Sequence, residues 1–322
     1  MSDATVAETY VDLDRQEFRW FPPEGVTTHS RNPIEPTTDF FVVPPPEIGE
    51  LVSADSSLKT TSRPWKTASR IVLTGLIGWG GYMLADALSK NAFPINQLQT
   101  YTIVLCFTIV LMPISWFLTR FSGICSYVGK DGIARMKCAG ARDRMRPQEI
   151  LLFVNVAELR NSETRMYQKG VYTGTAYQFK WTDTQGNKVF KLSGTYRGEK
   201  KPPKPKDPFH FAQKADEIWT AYLYDRYMAT LQDHRVVRFP LNGHYYVAIG
   251  EGFLDILVCG TELIHLTSEE IAGIQFDSGV VKIKTIDAQE GWFSSTGVYK
   301  FSYSQMANAR LFLQFYSRWI GK

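Results

Sequence analysis

The chain has 322 residues, a formal net charge of +4 and four cysteines, and its mean hydropathy is -0.19. So small a charge excludes the strongly basic footprint of a nucleic-acid binder. No CxxC pair occurs, which argues against a disulfide framework or a zinc cluster, and the first residues lack the basic and apolar regions of a cleavable signal peptide.

Residues 1–66 read as a disordered, proline-rich cytoplasmic tail, because apolar residues are sparse and unpatterned. Two islands stand out: Phe18-Arg19-Trp20-Phe21-Pro22-Pro23-Glu24 and Phe40-Phe41-Val42-Val43-Pro44-Pro45-Pro46-Glu47. Each joins aromatic residues to a proline run. Proline holds such a segment near a polyproline II path, so binding costs little extra entropy, and the rings supply buried area. Trp20, Phe21, Pro22, Phe40, Phe41 and Pro44 are therefore candidate docking residues for a protein partner. The alternative is a tail that lies on its own domain.

Residues 67–120 are expected to form a two-helix transmembrane hairpin. Residues 71–85 and 101–118 are mostly apolar and of a length that spans a ~30 Å hydrocarbon core at ~1.5 Å per helical residue. Lys59, Arg63, Lys66 and Arg70 precede the first helix, Arg120, Lys130, Arg135 and Lys137 follow the second, and the link offers only Lys90. The positive-inside rule then places both termini in the cytoplasm and the protein as an integral component of a plasma or inner membrane. Gly75, Gly78, Gly80 and Gly81 offer a helix face for close approach, and so for homo- or hetero-oligomer contacts.

Beyond residue 120 the pattern changes to short strands. Residues 126–138 read as a β-hairpin turning at Gly129-Lys130-Asp131-Gly132. Tyr177, Phe179 and Trp181 alternate with polar residues, and 215–234 repeats apolar residues at helical spacing. The plan then recurs. Glu251-Gly252-Phe253 echoes Asp131-Gly132-Ile133, residues 280–285 alternate, and 304–319 is an amphipathic helix. The expected fold class is α+β: the membrane hairpin, then two tandem units, 121–234 and 235–322, each of antiparallel strands plus a C-terminal helix. The region from Ile124 onward is expected to fold by itself.

Strands in hairpins followed by one amphipathic helix resemble the pleckstrin-homology (PH) superfold. With a membrane hairpin ahead of them, they resemble bacterial PH-domain membrane proteins. Residues 253–318 carry most of the likeness, through 263–274, 279–285 and the final helix. The resemblance implies a small, partly open barrel capped by a helix, and binding rather than catalysis. It transfers no site residues.

No reactive constellation emerges. The histidines form neither HxxH nor HExxH, no P-loop or GxSxG occurs, and no metal, cofactor or catalytic residue is expected. The charged features with a mechanism are basic: Lys200, Lys201, Lys204 and Lys206 on a proline-rich loop, and Arg142, Arg144 and Arg146. Near an anionic leaflet each adds ~1 kcal/mol to attraction, so these are candidate lipid-binding residues; the alternative is solvated loops. The expected function is a non-enzymatic integral membrane protein. Its cytoplasmic PH-like domain binds protein partners or anionic lipid headgroups, with the tail as a recruitment segment. The alternative is a structural scaffold subunit of a larger membrane assembly. Membrane lipids and unidentified proteins are the expected partners, and nucleic acid is not.

Overall fold

The computed structural model describes residues 10–12, 17–59, 62–91, 102, 105, 106, 109–111, 113, 122–139, 149–199, 202–258, 262–290 and 295–321. A two-stranded ribbon, β1 (Tyr10–Asp12) and β2 (Glu17–Arg19), comes first. The remaining strands fall into two halves of one plan. In the first half, β3 (Leu51–Ser56), β4 (Ser122–Gly129), β5 (Gly132–Ala139) and β6 (Glu149–Leu152) form a four-stranded antiparallel meander. A three-stranded meander follows: β7 (Glu158–Gln168), β8 (Val171–Thr182) and β9 (Lys188–Tyr196). Helix α2 (Phe209–His234) closes this half.

The second half repeats the order. Strands β10 (Val236–Pro240), β11 (Tyr246–Gly250), β12 (Phe253–Leu257) and β13 (Ile264–Thr267) make four, and β14 (Ile271–Asp277), β15 (Val280–Glu290) and β16 (Ser295–Ser302) make three. Helix α3 (Ala309–Trp319) ends it.

Local chemistry accounts for these elements. In β8 the buried Tyr177, Phe179 and Trp181 alternate with exposed or half-exposed Gln178 and Lys180, the two-residue period of a strand with one face on the core. In α2 the buried Ala212, Ala215, Trp219 and Leu223 recur every three or four residues, and α3 does the same with Leu311, Phe312, Phe315 and Tyr316. The turn between β14 and β15 places Ser278 and Gly279 at φ 51° and 80°, the paired positive φ values of a tight hairpin whose twist matches its strands. One continuous core joins the halves, with Trp181, Trp219, Phe239, Phe312 and Phe315 among its members. Phe239 of β10 lies 5.6 Å from the Tyr227 ring of α2 and 5.4 Å from the Phe312 ring of α3.

The chain between β3 and β4 corrects the expected membrane architecture. Helix α1 (Ser62–Asn91) is 30 residues long, but among the described residues no helix is long and apolar enough to cross a membrane. Thr74 and Gly75, Gly78, Gly80 and Gly81 dilute the apolar run of α1. Asp86 ends it, accepting a hydrogen bond from Lys90 Nζ at 2.8 Å. The described strands form antiparallel sheets, and no transmembrane hairpin is seen among the described residues; most of the second expected span, residues 101–118, lies outside them. The integral membrane placing, with its cytoplasmic termini, falls with the hairpin.

The segment before α1 also differs from the expectation of a disordered tail. From Trp20 to Leu58 it packs on the first half. Strand β3 pairs with β4 along its length. Trp20, Phe40, Ile48 and Ala54 share a second core with Cys125, Tyr127, Ala134 and Met136. Trp20 stands edge-on to Phe40 and to Tyr127, at 5.2 and 5.6 Å between ring centres, and Tyr127 donates a hydrogen bond to the Val42 carbonyl. The alternative of a segment lying on its own domain fits these contacts.

Candidate functional site

A cavity of about 620 Å³ lies where the two halves meet. The first half contributes Asn161, Ser162, Glu163 and Thr164 from β7, Phe179 from β8, and Gln213 and Asp216 from α2. The second half contributes the Ser278-Gly279 turn, Ser302 at the end of β16, Tyr303 and Ser304 just after it, and Arg310 at the start of α3. Neither half forms this cleft alone.

Asp216 lies on the buried side of α2, only 6% exposed. Burial raises its pKa to about 6, against the opposing influence of Arg310. Arg310 Nη1 lies 3.5 Å from Asp216 Oδ2, outside the 2.7–3.2 Å usual for an N–H···O hydrogen bond. Glu163 Oε2 accepts from the Tyr196 hydroxyl at 3.0 Å. Asn161 Oδ1 is buried and has no hydrogen-bond partner among the described residues. Burial, and then the Asp216 carboxylate, push the Tyr303 hydroxyl up to about 12, so it stays protonated at neutral pH. The buried Asp216 and the exposed Glu163 thus share the cleft with one guanidinium, that of Arg310.

Asn308 holds the cleft's walls in place. It occupies the left-handed region at φ 53° just before α3. Its Oδ1 accepts from Leu159 N and from Trp219 Nε1, each at 2.9 Å. Its Nδ2 donates to the Ala157 carbonyl at 3.3 Å and to the Tyr227 hydroxyl at 3.4 Å. One side chain therefore ties β7 and α2 of the first half to α3 of the second.

No protein-family model matches the chain, and a search of curated proteins returns no match.

The residues singled out from sequence lie elsewhere. Trp20 and Phe40 are core residues, Phe21 is 46% exposed, and Pro22, Phe41 and Pro44 are half-buried. Lys204 and Lys206 are exposed. The Lys206 charge acts on Glu35 and Asp55, carboxylates of the segment folded over the first half. Lys200, Lys201, Arg142, Arg144 and Arg146 lie outside the described residues. Gly75 and Gly78 have open space where a Cβ would stand, while Gly81 is buried and Gly80 half-buried. Ile71, Val72, Leu76 and Trp79 are exposed along α1.

Sequence reading passed over Asn161, Glu163, Asp216, Tyr303, Arg310 and Asn308. One signal was present: Asp216 sits within the apolar stripe Ala212, Ala215, Trp219, Leu223, where a carboxylate needs a reason. The others come together only through the contact between halves.

Proposed function

We propose that the protein is a non-enzymatic binding protein whose two halves present one polar cleft to a protein partner. The observation that carries this reading is the cleft itself, built jointly by β7, α2, β16 and α3. Binding pockets occur preferentially at the junction of two units. The order of four strands, three strands and a helix in each half supports the likeness to PH modules, which act by binding. Between protein partners and anionic headgroups, the cleft favours the former. Its carboxylates outnumber its guanidinium, and the exposed Lys206 already faces acids of its own chain.

A photoreactive side chain at exposed Ser304 on the rim, compared with one at exposed Lys188 on β9, tests this in cells that express the chain. A protein adduct that forms from position 304 and not from 188 is expected. Equal labelling at both positions, or none at either, counts against the reading.

A second reading, a structural subunit of a larger assembly, is favoured by the exposed apolar row Ile71, Val72, Leu76 and Trp79 on α1. Light scattering coupled to size exclusion separates the two. A mass that stays at one chain when the concentration is raised a hundredfold argues against self-assembly.

A further inference from the structure

We infer that the exposed face of α1 is a self-association surface, on which α1 of a second copy of this chain docks antiparallel, with the Trp79 ring of each copy seated over Gly75 of the other. This rests on the second reading above, self-assembly, and names the partner and the register of the contact.

Spacing defines the face. Ala68, Val72, Gly75, Trp79, Tyr82 and Asp86 follow one another at alternating steps of four and three residues along α1, the seven-residue repeat of a seam that meets another helix. Asp86 is half-buried and the other five are exposed. Ile71, Leu76 and Met83 flank the seam and are exposed as well. Among the described residues, neither hydrophobic core takes a member from α1. Single exposed apolar residues are ordinary, and a contiguous stripe of them is not. Ile71, Val72, Leu76, Trp79, Tyr82 and Met83 are 46–70% exposed. At roughly 100 Å² each, they leave about 600 Å² uncovered. That is the upper end for an apolar patch on a monomer and most of the ~800 Å² that each partner brings to a standard interface.

Side-chain size selects the occupant. Trp79 is 62% exposed. One turn away, a Cβ at Gly75 would have nothing within 4 Å. A parallel copy sets Trp79 against Trp79 and Gly75 against Gly75, a collision beside a void. An antiparallel copy turned about Ile77 sets Trp79 against Gly75 twice, Val72 against Tyr82 and Ile71 against Met83. Each knob then meets a hole, and the contact is isologous. The seam ends at Ala68 against Asp86, whose carboxylate holds Lys90 Nζ at 2.8 Å. Antiparallel helices also oppose their dipoles favourably. A helix of another sequence has to supply the same alternation of sizes, and a second copy carries it already.

Sedimentation equilibrium of the full chain tests the contact with four proteins: the parent, Trp79→Ala, Gly75→Trp, and the exchange Gly75→Trp/Trp79→Gly. The parent should dimerise with a Kd of about 10 µM or tighter, the weak end for contacts of standard area. Trp79→Ala should weaken the dimer about thirtyfold, the scale of a buried aromatic anchor. Gly75→Trp should weaken it too, although it adds apolar surface, because the hole is filled. The exchange should restore most of the parent's affinity, since turning about Ile77 brings the moved ring over the moved gap.

A parent that stays monomeric at concentrations tenfold above that Kd overturns the inference. So does a parent that remains a monomer and binds vesicles of neutral phosphatidylcholine instead. Tighter association in Gly75→Trp than in the parent also overturns it, because unspecific apolar adhesion gains from an added ring. An exchange variant no better than Gly75→Trp, at unchanged far-UV circular dichroism, does the same. If the exchange variant loses its helix, Gly75→Trp decides by itself: tryptophan is a better helix former than glycine, and its Cβ enters open space. Association without this pattern sinks the contact and leaves the self-assembly reading. A monomer throughout sinks both, and neither result touches the cleft.

Discussion

His29 and Asp216 are both buried, and they respond to acid in opposite senses. His29 Nδ1 lies 2.8 Å from Ser53 Oγ and its Nε2 lies 2.9 Å from Ser126 Oγ. Burial, with the nearby His210 and Lys214, lowers its pKa from 6.5 to about 3 despite the bond to Ser126. As pH falls below 6.5 the unfolded chain takes a proton that the folded ring refuses, so stability declines until about pH 3. Asp216 is raised from 3.8 to about 6. Between those values the folded state takes the proton first, so acid adds stability. Each contributes at most about 1.4 kcal/mol per pH unit, and between pH 6 and 4 the two largely cancel. Urea midpoints measured across that window should therefore rise on acidification in His29→Gln relative to the parent, and fall in Asp216→Asn. Parallel curves for all three proteins would contradict both assignments. Asn308 makes a second residue-level prediction. Asn308→Ala leaves Leu159 N and Trp219 Nε1 without their acceptor and keeps a Cβ at positive φ, costing about 3 kcal/mol or more. Asn308→Gly should recover about 1 kcal/mol of that through its ease at positive φ, read from the same denaturation experiment.

At the scale of elements, aromatic residues before α1 divide by contact rather than by motif. Trp20→Ala empties a site between Phe40 and Tyr127 and should cost about 3–5 kcal/mol. Phe21→Ala next to it, half-exposed, should change stability by less than about 0.5 kcal/mol. Equal losses in a urea titration would mean that the second core is not formed as described. The same division explains what was legible in the sequence. Strand β8 and helices α2 and α3 announced themselves because Tyr177, Phe179 and Trp181, or Phe312 and Phe315, repeat with the period of their element. Strand β3 did not. Its buried residues are Ser53 and Ala54, and Ser53 is inside because His29, 24 residues away, bonds to it. Trp20 and Phe40 looked like docking motifs because local proline chemistry is visible in sequence and the face they cover is not. Residues 71–85 looked like a membrane span because the run is mostly apolar, with its glycines read as a face for close helix approach. The cleft was illegible for a further reason: Asn161 and Arg310 are distant in sequence and meet only once β7 packs against α3.

For the whole molecule, the continuous core predicts that the halves stand or fall together. Tyr227, Phe239, Phe312 and Phe315 touch across the boundary near residue 235, so thermal unfolding should be one transition by both far-UV and near-UV circular dichroism. A chain starting at Ile124, expected from sequence to fold alone, lacks β3, Trp20, Phe40 and Ile48. It should expose Tyr127 and Met136 and lose most of its stability, with two separate transitions or an unchanged midpoint as the contrary result. The register of β3 on β4 carries one more consequence. Ser57 N donates to the Ile124 carbonyl at 2.9 Å, and Ile124 N donates to Ser57 Oγ at 2.9 Å, so the chain returns to the point it left. All that lies between is, in topological terms, the loop of a hairpin. Closure entropy grows only slowly with loop length, so the sheet is nearly indifferent to what that loop contains. Replacing residues 60–121 with a short Gly-Asn turn should leave the two halves folded with their cleft intact, and the excised stretch becomes a cassette that an engineer, or evolution, can exchange.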